Sequence, residues 1–294
     1  MSGKRWEVIT FGDVFIDLVM SGFTRWPEPG EEVTARSLTQ DVGGGAAITA
    51  CRLAQLGRRV ALIAAVGEDG GWFRHRIGQC GVDCDLLQID EAGRTATTVA
   101  ISTIADRSFF TFPGANVRLA EMLADQTITS QMSLAQHVHL ASAVEPARLV
   151  ELTRQLHQSG TTISVDVGWV ESWLRDPASL VALREVDLFL PNEREGRAMT
   201  GETDPEQILR TFAQAGIARV ALKLGAAGAM MIDAGQILAC AAPVVEVVDT
   251  TGAGDCFDAG FISAWIDGQA AANCLQLGNA CGAQSTTTPG GTGL

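Results

Sequence analysis

The chain has 294 residues, 47% of them apolar, and a formal net charge of −13 at pH 7. This acidic balance excludes a partner bound through a nucleic-acid backbone, because such binding needs a basic face. Charged residues such as Arg52, Arg58 and Asp69 interrupt the apolar stretches before any reaches membrane-spanning length, so we expect a soluble protein without a membrane partner.

Apolar runs typical of strands recur through the chain, at residues 8–11, 60–65, 137–140, 163–167, 188–190 and 220–224. Helix-like stretches alternate with them, at residues 46–56, 146–158, 205–215 and in a C-terminal pair. This alternation predicts an α/β fold, with a mostly parallel sheet covered by helices on both faces and right-handed crossovers. No Pro/Ser-rich or charged linker divides the chain, so we expect one domain over residues 1–294.

Two segments break the alternation of strands and helices. Residues 15–39 and residues 95–112 have the pattern of short strands joined by turns. Phe109, Phe110 and Phe112 make the second segment too apolar for a free hairpin, so we expect it to meet a partner surface. A pair of exposed hairpins without a functional task is the alternative.

The most informative segment runs from Asp249 to Trp265, with the sequence DTTGAGDCFDAGFISAW. The apolar run at residues 244–248 predicts a strand before it, and the periodicity at residues 257–266 predicts a helix. A helix that begins near Gly252 presents unpaired N–H groups and a positive dipole end, which bind phosphate. A carboxylate at Asp255 would repel that anion unless it accepts a proton, which indicates a general base. A capping Asp in a glycine-rich turn is the alternative.

The two lysines limit how phosphate can be held. Neither Lys4 nor Lys223 lies in a Gly-x-x-x-x-Gly-Lys-Ser/Thr sequence, which excludes a Walker-type loop. Backbone amides, magnesium and arginine must then hold the phosphates. The segment around Gly252 is the place we predict for those amides.

The whole segment resembles the second signature of the ribokinase-like carbohydrate kinases, also called the phosphofructokinase-B family. Further landmarks of that family follow in order: Gly12-Asp13 with Asp17, Gly43-Gly44-Gly45-Ala46-Ala47, Val66-Gly67-Glu68-Asp69, Pro191-Asn192-Glu193-Arg194-Glu195 and Lys223-Leu224-Gly225-Ala226-Ala227-Gly228. The resemblance extends from about Glu7 to Gly291. It implies a ribokinase-like fold in which residues 15–39 and 95–112 form a β lid over the sugar, which often supplies a homodimer interface.

The resemblance assigns roles at the start of the predicted helix. Asp255 is implied to be the catalytic base. The backbone of Gly252, Ala253, Gly254 and Asp255 is implied to form the anion hole for the phosphoryl group. ATP is the implied phosphoryl donor.

The implied acceptor site consists of Asp13, Asp17 and the loop of Gly43, Gly44 and Gly45. Carboxylates suit a polyhydroxylated substrate because each accepts several O–H bonds, and glycines let the backbone approach a sugar closely. A capped strand end at Asp13 and plain turn chemistry at the glycines are the alternatives.

One position departs from the family pattern. Ile48 stands where the family usually has an asparagine whose amide meets substrate hydroxyls. We expect either a less hydroxylated substrate or a substitute side chain, for which Asn116 and Arg107 are the candidates. An arginine in the lid suits a sugar acid through a bidentate fork, whereas a solvated hairpin tip is the simpler interpretation of Arg107.

Metal sites are implied at two places. Asn192 and Glu195 resemble the Asn-x-x-Glu motif that organises magnesium and phosphate, and Glu195 would reach Mg²⁺ through a water. A capping box between the same two residues needs no metal, and the two interpretations are compatible. Asp249 and Thr251 resemble the monovalent-cation loop of parts of the family, which predicts a K⁺ site.

The nucleotide side is implied by the remaining landmarks. Lys223 is a candidate for a nucleotide phosphate, or alternatively a strand lysine that faces solvent. Gly225 and Gly228 would turn the chain beneath the nucleotide. Asn279 and the loop at residues 286–291 would face the adenine.

We therefore expect an ATP- and Mg²⁺-dependent kinase that phosphorylates a hydroxyl of a small sugar or sugar acid. A nucleoside or sugar-phosphate kinase of the same family, or a regulator that binds sugar or nucleotide without turnover, are the alternatives. The strand-like segment at residues 6–11 follows no signal-peptide pattern, and the seven cysteines lack zinc-site spacing. These features predict a cytoplasmic location with reduced thiols.

Overall fold

Strands and helices alternate through residues 4–103, 107–288 and 290–292, which the computed structural model describes. The strands are β1 (Trp6–Gly12), β2 (Phe15–Phe23), β3 (Ser37–Gly43), β4 (Val60–Ile63), β5 (Ala65–Gly67), β6 (Gln88–Asp90), β7 (Thr97–Thr103), β8 (Arg107–Phe112), β9 (Ala135–Ala141), β10 (Thr162–Val165), β11 (Leu188–Phe189), β12 (Arg219–Lys223), β13 (Ala229–Asp233) and β14 (Gln236–Cys240).

The α-helices are α1 (Gly45–Gln55), α2 (Gly71–Gln79), α3 (Leu119–Ala124), α4 (Gln126–Met132), α5 (Pro146–Gln158), α6 (Glu171–Leu174), α7 (Pro177–Ala182), α8 (Glu193–Thr200), α9 (Pro205–Gln214), α10 (Ala253–Ile266) and α11 (Ala271–Ser285). Short 3₁₀ turns form at Gly114–Arg118 and Gly225–Ala227. Within the described ranges, no helix combines the length and the apolar character needed to cross a bilayer.

An eight-stranded sheet forms the centre, in the order β14-β13-β12-β11-β10-β9-β1-β4. Every neighbouring pair from β4 to β12 is parallel, and β12, β13 and β14 are antiparallel. Val8, for example, pairs with Val60 on one side and with His137 on the other. The predicted α/β fold is therefore confirmed. The parallel strands share one carboxyl edge, which is where ligands bind in such sheets.

Helices cover both faces of this sheet. In β1, Ile9 and Phe11 pack into a cluster with side chains of β9 and α5, whereas Val8 packs into a second cluster with α1 and α10. Successive strand residues point to opposite faces, so a strand buried on both sides needs apolar residues in sequence. This explains why the strands appear in the sequence as nearly continuous apolar runs.

A second sheet contains the predicted lid segments, in the order β3-β2-β7-β8. β2 pairs with β3 and β7 with β8 in antiparallel fashion, while β2 and β7 run parallel. β3 continues to Gly43, beyond the predicted boundary at residue 39. Phe109, Phe110 and Phe112 remain more than half exposed, and Trp26 stacks on Phe110 with 6.2 Å between ring centroids. The turn at residues 104–106 lies outside the described residues.

The prediction of a strand at residues 244–248 was wrong. These residues lie in an irregular loop, where Val244 is fully exposed and Val247 and Val248 are more than half exposed. They follow the edge strand β14, and the apolar side chains line a cavity instead of pairing in the sheet. The β13–β14 hairpin was not predicted, because its turn at Ala234 and Gly235 lacks a strong turn dipeptide.

The expectation of fully reduced thiols also needs correction. Cys51 in α1 and Cys80 at the end of α2 form a disulfide, with 5.2 Å between their Cα atoms. Their separation of 29 residues gave no signal, because only the fold brings the two helices together. The other cysteines of the described residues are free thiols: Cys84, Cys240, Cys256, Cys274 and Cys281.

Candidate active site

The N-terminus of α10 lies at the carboxyl edge of the sheet. Gly252 caps the helix with φ +72°, a left-handed conformation that favours glycine. A Cβ at this position would lie 2.9 Å from Cα of Gly291 and 3.0 Å from Cδ1 of Ile48. Both the backbone conformation and the crowding explain why the turn needs a residue without a side chain.

Two of the four predicted amide donors have no acceptor within the described ranges. The N–H groups of Gly252 and Gly254 donate to no protein acceptor there, and the N–H of Asp255 interacts only with the carboxylate of its own side chain. The N–H of Ala253, by contrast, donates to the carbonyl of Thr250 at 3.2 Å. The predicted role of Ala253 as an amide donor is therefore corrected, because that amide closes the turn. The two free amides, the locally paired amide of Asp255 and the helix dipole still make an anion-binding end.

The Asp255 carboxylate is half-buried and faces the loop before α1. Its Oδ1 would lie 2.9 Å from a Cβ placed on Gly45, which would also meet Cβ of Ala141 at 3.3 Å. The hydroxyl of Thr49 donates to the carbonyl of Asp255 at 3.2 Å and joins α1 to α10. Burial, and then the nearby charge of Asp166, raise the pKa of Asp255 to about 6. The group is thus mostly ionised at neutral pH.

The three glycines of the predicted acceptor loop each approach a different part of the site. A Cβ on Gly43 would overlap the Asp17 carboxylate, and a Cβ on Gly44 would overlap the main chain of Asp13. Gly45 faces Asp255, as described above. The structure therefore brings Asp13, Asp17 and Asp255 together around one loop, as the sequence predicts. Glycine is needed here for close approach.

The two carboxyl groups of the predicted acceptor site, Asp13 and Asp17, both have raised pKa values. Burial raises the pKa of Asp13, against the effect of a hydrogen bond with Ser142. Burial, and then the charge of Asp41 opposite in β3, raise the pKa of Asp17 to about 6. A ligand with hydroxyl donors would compensate these desolvated oxygens.

The two candidates for replacing the usual asparagine have different outcomes. Asn116 is buried, and its amide accepts from the N–H of Val14 at 3.3 Å and donates to the carbonyl of Val14 at 3.0 Å. It therefore holds the turn after β1, and a substrate contact by Asn116 stays a prediction. The side chain of Arg107 lies outside the described residues. Ile48 itself is buried against Gly252 and supports the turn at the start of α10.

A cavity of about 340 Å³ opens on the other side of the α10 N-terminus. The loop at residues 242–247 and the start of α10 line it together with Gly225, Gly228 and Asn279. Asn279 is buried and donates to the carbonyl of Cys240 at 2.8 Å, which fixes α11 to β14. A Cβ on Gly228 would overlap that same carbonyl. The predicted nucleotide residues thus surround one largely apolar cavity beside the free amides.

Asn192 and Glu195 form a complete capping box at the start of α8. The N–H of Asn192 donates to Oε2 of Glu195 at 2.9 Å, and the N–H of Glu195 donates to Oδ1 of Asn192 at 3.0 Å. Glu195 is buried, and burial together with the charge of Asp166 raises its pKa to about 7. The capping alternative is therefore correct as a structural role, and it leaves the magnesium role as a prediction.

Replacing Asn192 with alanine should lower the free energy of unfolding by about 0.5–2 kcal/mol, the usual cost of losing an N-cap. Urea unfolding followed by circular dichroism measures this change. Thr200→Ala at the other end of α8 is the control, since it removes the hydrogen bonds with the Gly196 carbonyl and the Glu202 N–H but leaves the capping box intact. An unchanged midpoint for Asn192→Ala would contradict the capping role.

Lys223 does not face solvent, contrary to one of the two predicted alternatives. Its Nζ donates to Oδ2 of Asp166 at 2.7 Å and to the carboxylate of Asp258 at 3.0 and 3.1 Å. Burial opposes the charge of Lys223, but Asp166 and Asp258 raise its pKa above the ordinary value. Neither Asp166 nor Asp258 was predicted from the sequence as a partner of Lys223. Asp258 follows Asp255 by one helical turn, which was the available signal.

The carboxylates near α10 differ in how well they suit a metal ion. Oxygen atoms of Asp166, Asp255 and Asp258 lie within 4.8 Å of one another, but the Lys223 ammonium already fills the position of a cation beside two of them. Glu195 has both oxygens in the capping box, so it fits a magnesium ion through coordinated water. Mg²⁺ prefers to keep several waters, which suits that arrangement.

Asp249 organises the loop predicted to bind a monovalent cation. Its Oδ1 accepts from the N–H and hydroxyl of Thr251 at 3.0 and 2.8 Å, and its Oδ2 accepts from the N–H of Gly290 at 3.2 Å. The N–H groups of Val248 and Asp249 both donate to the carbonyl of Thr286. These bonds tie the start of α10 to the C-terminal loop. Binding of K⁺ here stays a prediction.

Comparison with known proteins identifies the family. The profile of the pfkB family carbohydrate kinases matches residues 6–293. An ATP-dependent ribose-1-phosphate kinase of Halopiger xanaduensis is 32% identical over 94% of this chain and 90% of its own. A 2-dehydro-3-deoxygluconokinase of Bacillus subtilis is 28% identical over 86% of this chain and 83% of its own.

A solved structure agrees with these sequence matches. A putative ribokinase II from E. coli in complex with ATP and Mg²⁺ superposes with a TM-score of 0.80 at 26% identity, over 98% of this chain and 94% of that one. The chain belongs to the pfkB family of carbohydrate kinases. It is an ATP-dependent carbohydrate kinase with a ribokinase-like fold, as the sequence resemblance implied.

Proposed function

We propose that the enzyme transfers the γ-phosphoryl group of ATP to a hydroxyl of a small sugar, with Asp255 as catalytic base and the amides of Gly252, Gly254 and Asp255 as anion hole. One observation carries this proposal. The free amides and the Asp255 carboxylate share the first turn of α10, with the acceptor loop on one side and the apolar cavity on the other. A phosphoryl group that crosses this turn meets donors and base together.

The chemistry proposed for these residues is simple. The ionised Asp255 carboxylate accepts the proton of the attacking hydroxyl, while the amides stabilise charge on the transferring phosphoryl oxygens. Such fixed donors need no reorganisation during transfer, and removal of one typically costs about 2.7–4 kcal/mol in the barrier. Lid closure over the acceptor would exclude water, which otherwise competes for the phosphoryl group.

We assign the cavity beside Asn279 to ATP, whose phosphates would then point to the α10 N-terminus. Mg²⁺ bound with ATP would supply positive charge that neutralises the phosphate groups. Glu195 would hold its water shell, and Asp249 with Thr251 would shape a K⁺ site in the adjoining loop. The E. coli complex with ATP and Mg²⁺ supports the choice of donor and metal.

A neutral sugar is the acceptor class that the site favours. Asp13, Asp17 and Asp255 surround the acceptor loop, and Asp41 adds a further negative charge. These groups attract hydroxyl donors but repel a carboxylate or a phosphate. Sugar acids and sugar phosphates remain alternatives, supported by the names of the Bacillus and Halopiger relatives, and would need a cation from the lid such as Arg107.

Coupled ADP release with a panel of acceptors tests this proposal. Ribose and fructose represent neutral sugars, 2-dehydro-3-deoxygluconate a sugar acid, ribose 1-phosphate a sugar phosphate, and adenosine a nucleoside. We expect the highest kcat/KM with a neutral sugar. Preference for an anionic acceptor would overturn the acceptor class, and binding of sugar without ADP release would support a regulator instead of a kinase.

Replacing Ala283 with phenylalanine should block the nucleotide cavity, because this α11 residue lines it. We expect KM for ATP to rise at least about tenfold, since a ring added there removes room for one planar ligand. KM for the sugar should stay unchanged. Initial rates at varied ATP measure the effect. Ala280→Phe, one turn earlier on α11 and outside the cavity lining, is the control, and equal effects in both variants would contradict the assignment.

We also propose that two chains associate through the lid. The exposed Phe110 and Phe112 lie on one face of β8 and form an apolar strip that a second lid would cover, while Phe109 lies on the other face. Multi-angle light scattering should give twice the chain mass of 31.0 kDa. Phe110→Glu should convert the dimer to a monomer, whereas a monomeric unmodified protein would refute this arrangement.

A further inference from the structure

A buried ammonium lies directly beneath the first turn of α10. A Cβ placed on Gly254 would be 3.6 Å from Nζ of Lys223. That Nζ donates three hydrogen bonds, one to Asp166 and two to Asp258. An ammonium has three N–H donors, so each has a carboxylate oxygen as its partner. No donor is left over for a nucleotide phosphate.

The elements packed around Asp255 contribute several charged groups. Asp166 follows β10, Lys223 ends β12, and Asp258 lies one turn along α10. Oxygens of Asp166 and Asp258 lie within 4.8 Å of an Asp255 oxygen. Glu195 in α8 interacts electrostatically with both Asp166 and Lys223. Four acids therefore share the positive charge of one lysine.

The remaining neighbours of Asp255 are neutral. Gly45 and Thr49 of α1 do not titrate. His139 of β9 is buried, and burial lowers its pKa to about 4, so it is uncharged at neutral pH. Burial raises the pKa of the Cys256 thiol to about 12, which keeps it protonated. Burial raises the pKa of Asp258 well above the ordinary carboxyl value, which leaves Lys223 and Asp166 as the charges whose balance acts on Asp255.

We propose that Lys223, clamped between Asp166 and Asp258, is a positioning residue whose buried charge keeps Asp255 ionised and able to accept the hydroxyl proton. This inference rests on the proposed role of Asp255. Lys223 acts on the base through space and does not touch the phosphoryl group. Asp166 and Asp258 fix the distance over which its charge acts.

Two substitutions should shift the pH dependence of kcat in opposite directions. A base works only when deprotonated, so kcat falls as pH drops through the pKa of Asp255. Lys223→Met removes a positive neighbour and should move this acidic limb to higher pH. Asp166→Asn removes a negative neighbour and should move it to lower pH. A charge at 4–6 Å shifts a carboxyl pKa by about one to three units, so shifts of about one unit are expected.

The decisive experiment compares pH profiles of kcat at saturating ATP and sugar. Lys4→Met is the matched control, since Lys4 bonds the carbonyls of Ser133 and Ser159 near the start of β1. Its profile should equal that of the unmodified enzyme. Opposite shifts for the two cluster variants support the proposal, whereas a purely structural role would lower kcat at every pH without moving the limb. The proposal would be overturned if the acidic limb moved in neither variant, or in the same direction in both.

A second measurement does not depend on activity. The chain has two lysines, so [¹⁵N]lysine labelling gives two side-chain signals by NMR. The Lys223 signal should show an inflection near the Asp255 pKa, and Asp255→Asn should abolish it. If Lys223→Met does not fold, the proposal is tested by the Lys223 NMR signal and by the pH profile of the isosteric Asp166→Asn variant. Glu195 also interacts with Lys223 and has a pKa of about 7, so both proteins carry Glu195→Gln in this measurement. An inflection that persists there after Asp255→Asn refutes the coupling, whereas full turnover by Asp255→Asn alone refutes the proposed base itself.

Discussion

Asp255→Asn should lower kcat at least about a hundredfold while the protein folds normally. Asparagine keeps the shape of the side chain but cannot accept the hydroxyl proton. The free amides of Gly252 and Gly254 remain, so binding of ATP and sugar should change little and the loss should appear in kcat. Coupled ADP release measures turnover, and thermal unfolding with and without ATP checks folding and binding.

The pH profile gives this first prediction a second readout. Because the pKa of Asp255 is raised to about 6, activity of the unmodified enzyme should be lost as pH falls through that value. Asp85→Asn is the matched control, because this exposed side chain takes part only in surface contacts. Turnover by Asp255→Asn equal to that of the control would rule out the base.

Gly43→Ala should reduce kcat/KM for the sugar about tenfold to a hundredfold. The added methyl would overlap the Asp17 carboxylate, and a side chain moves more easily than backbone. Displacing that carboxylate removes hydrogen bonds to a charged acceptor, each typically contributing about 1.5–3 kcal/mol. KM for ATP should stay unchanged because the nucleotide cavity lies across α10. Initial rates at varied sugar and varied ATP separate the two effects.

Gly78→Ala provides the matched control for the acceptor loop. Gly78 lies on the exposed side of α2, and a Cβ there would meet nothing within 4 Å. Alanine should even stabilise this helix by about 0.5–1 kcal/mol. Equal kcat/KM values for the sugar in Gly43→Ala and Gly78→Ala would contradict the assignment of Asp17 to the acceptor site.

The strands and helices of the sheet could be predicted because their signals are local. α5 spans Pro146–Gln158 as predicted, since a proline begins it and a regular apolar face continues through it. β12 was predicted within one residue at each end, because a buried parallel strand is a short apolar run. The same rule failed at residues 244–248, where Val244, Val245 and Val247 line a cavity and do not pair in a sheet.

The candidate site was predictable only where its residues lie close in sequence. Gly252 to Asp255 form one continuous motif, so both the base and the helix N-terminus could be proposed together. The environment of Lys223 could not, because Asp166 and Asp258 are 57 and 35 residues away and only the fold joins them. The amide of Ala253 was likewise assigned from the motif, whereas its bond to Thr250 depends on the conformation of the turn.

The contrast between the two lysines has a practical consequence for surface-based assays. Lys223 is buried in its carboxylate cluster, whereas Lys4 is half-buried near the start of β1, and burial lowers its pKa. An amine-reactive biosensor chip would therefore couple through Lys4 in preference to Lys223. The catalytic edge lies at the other end of that strand, so immobilised enzyme would present its ligand sites to the flowing analyte.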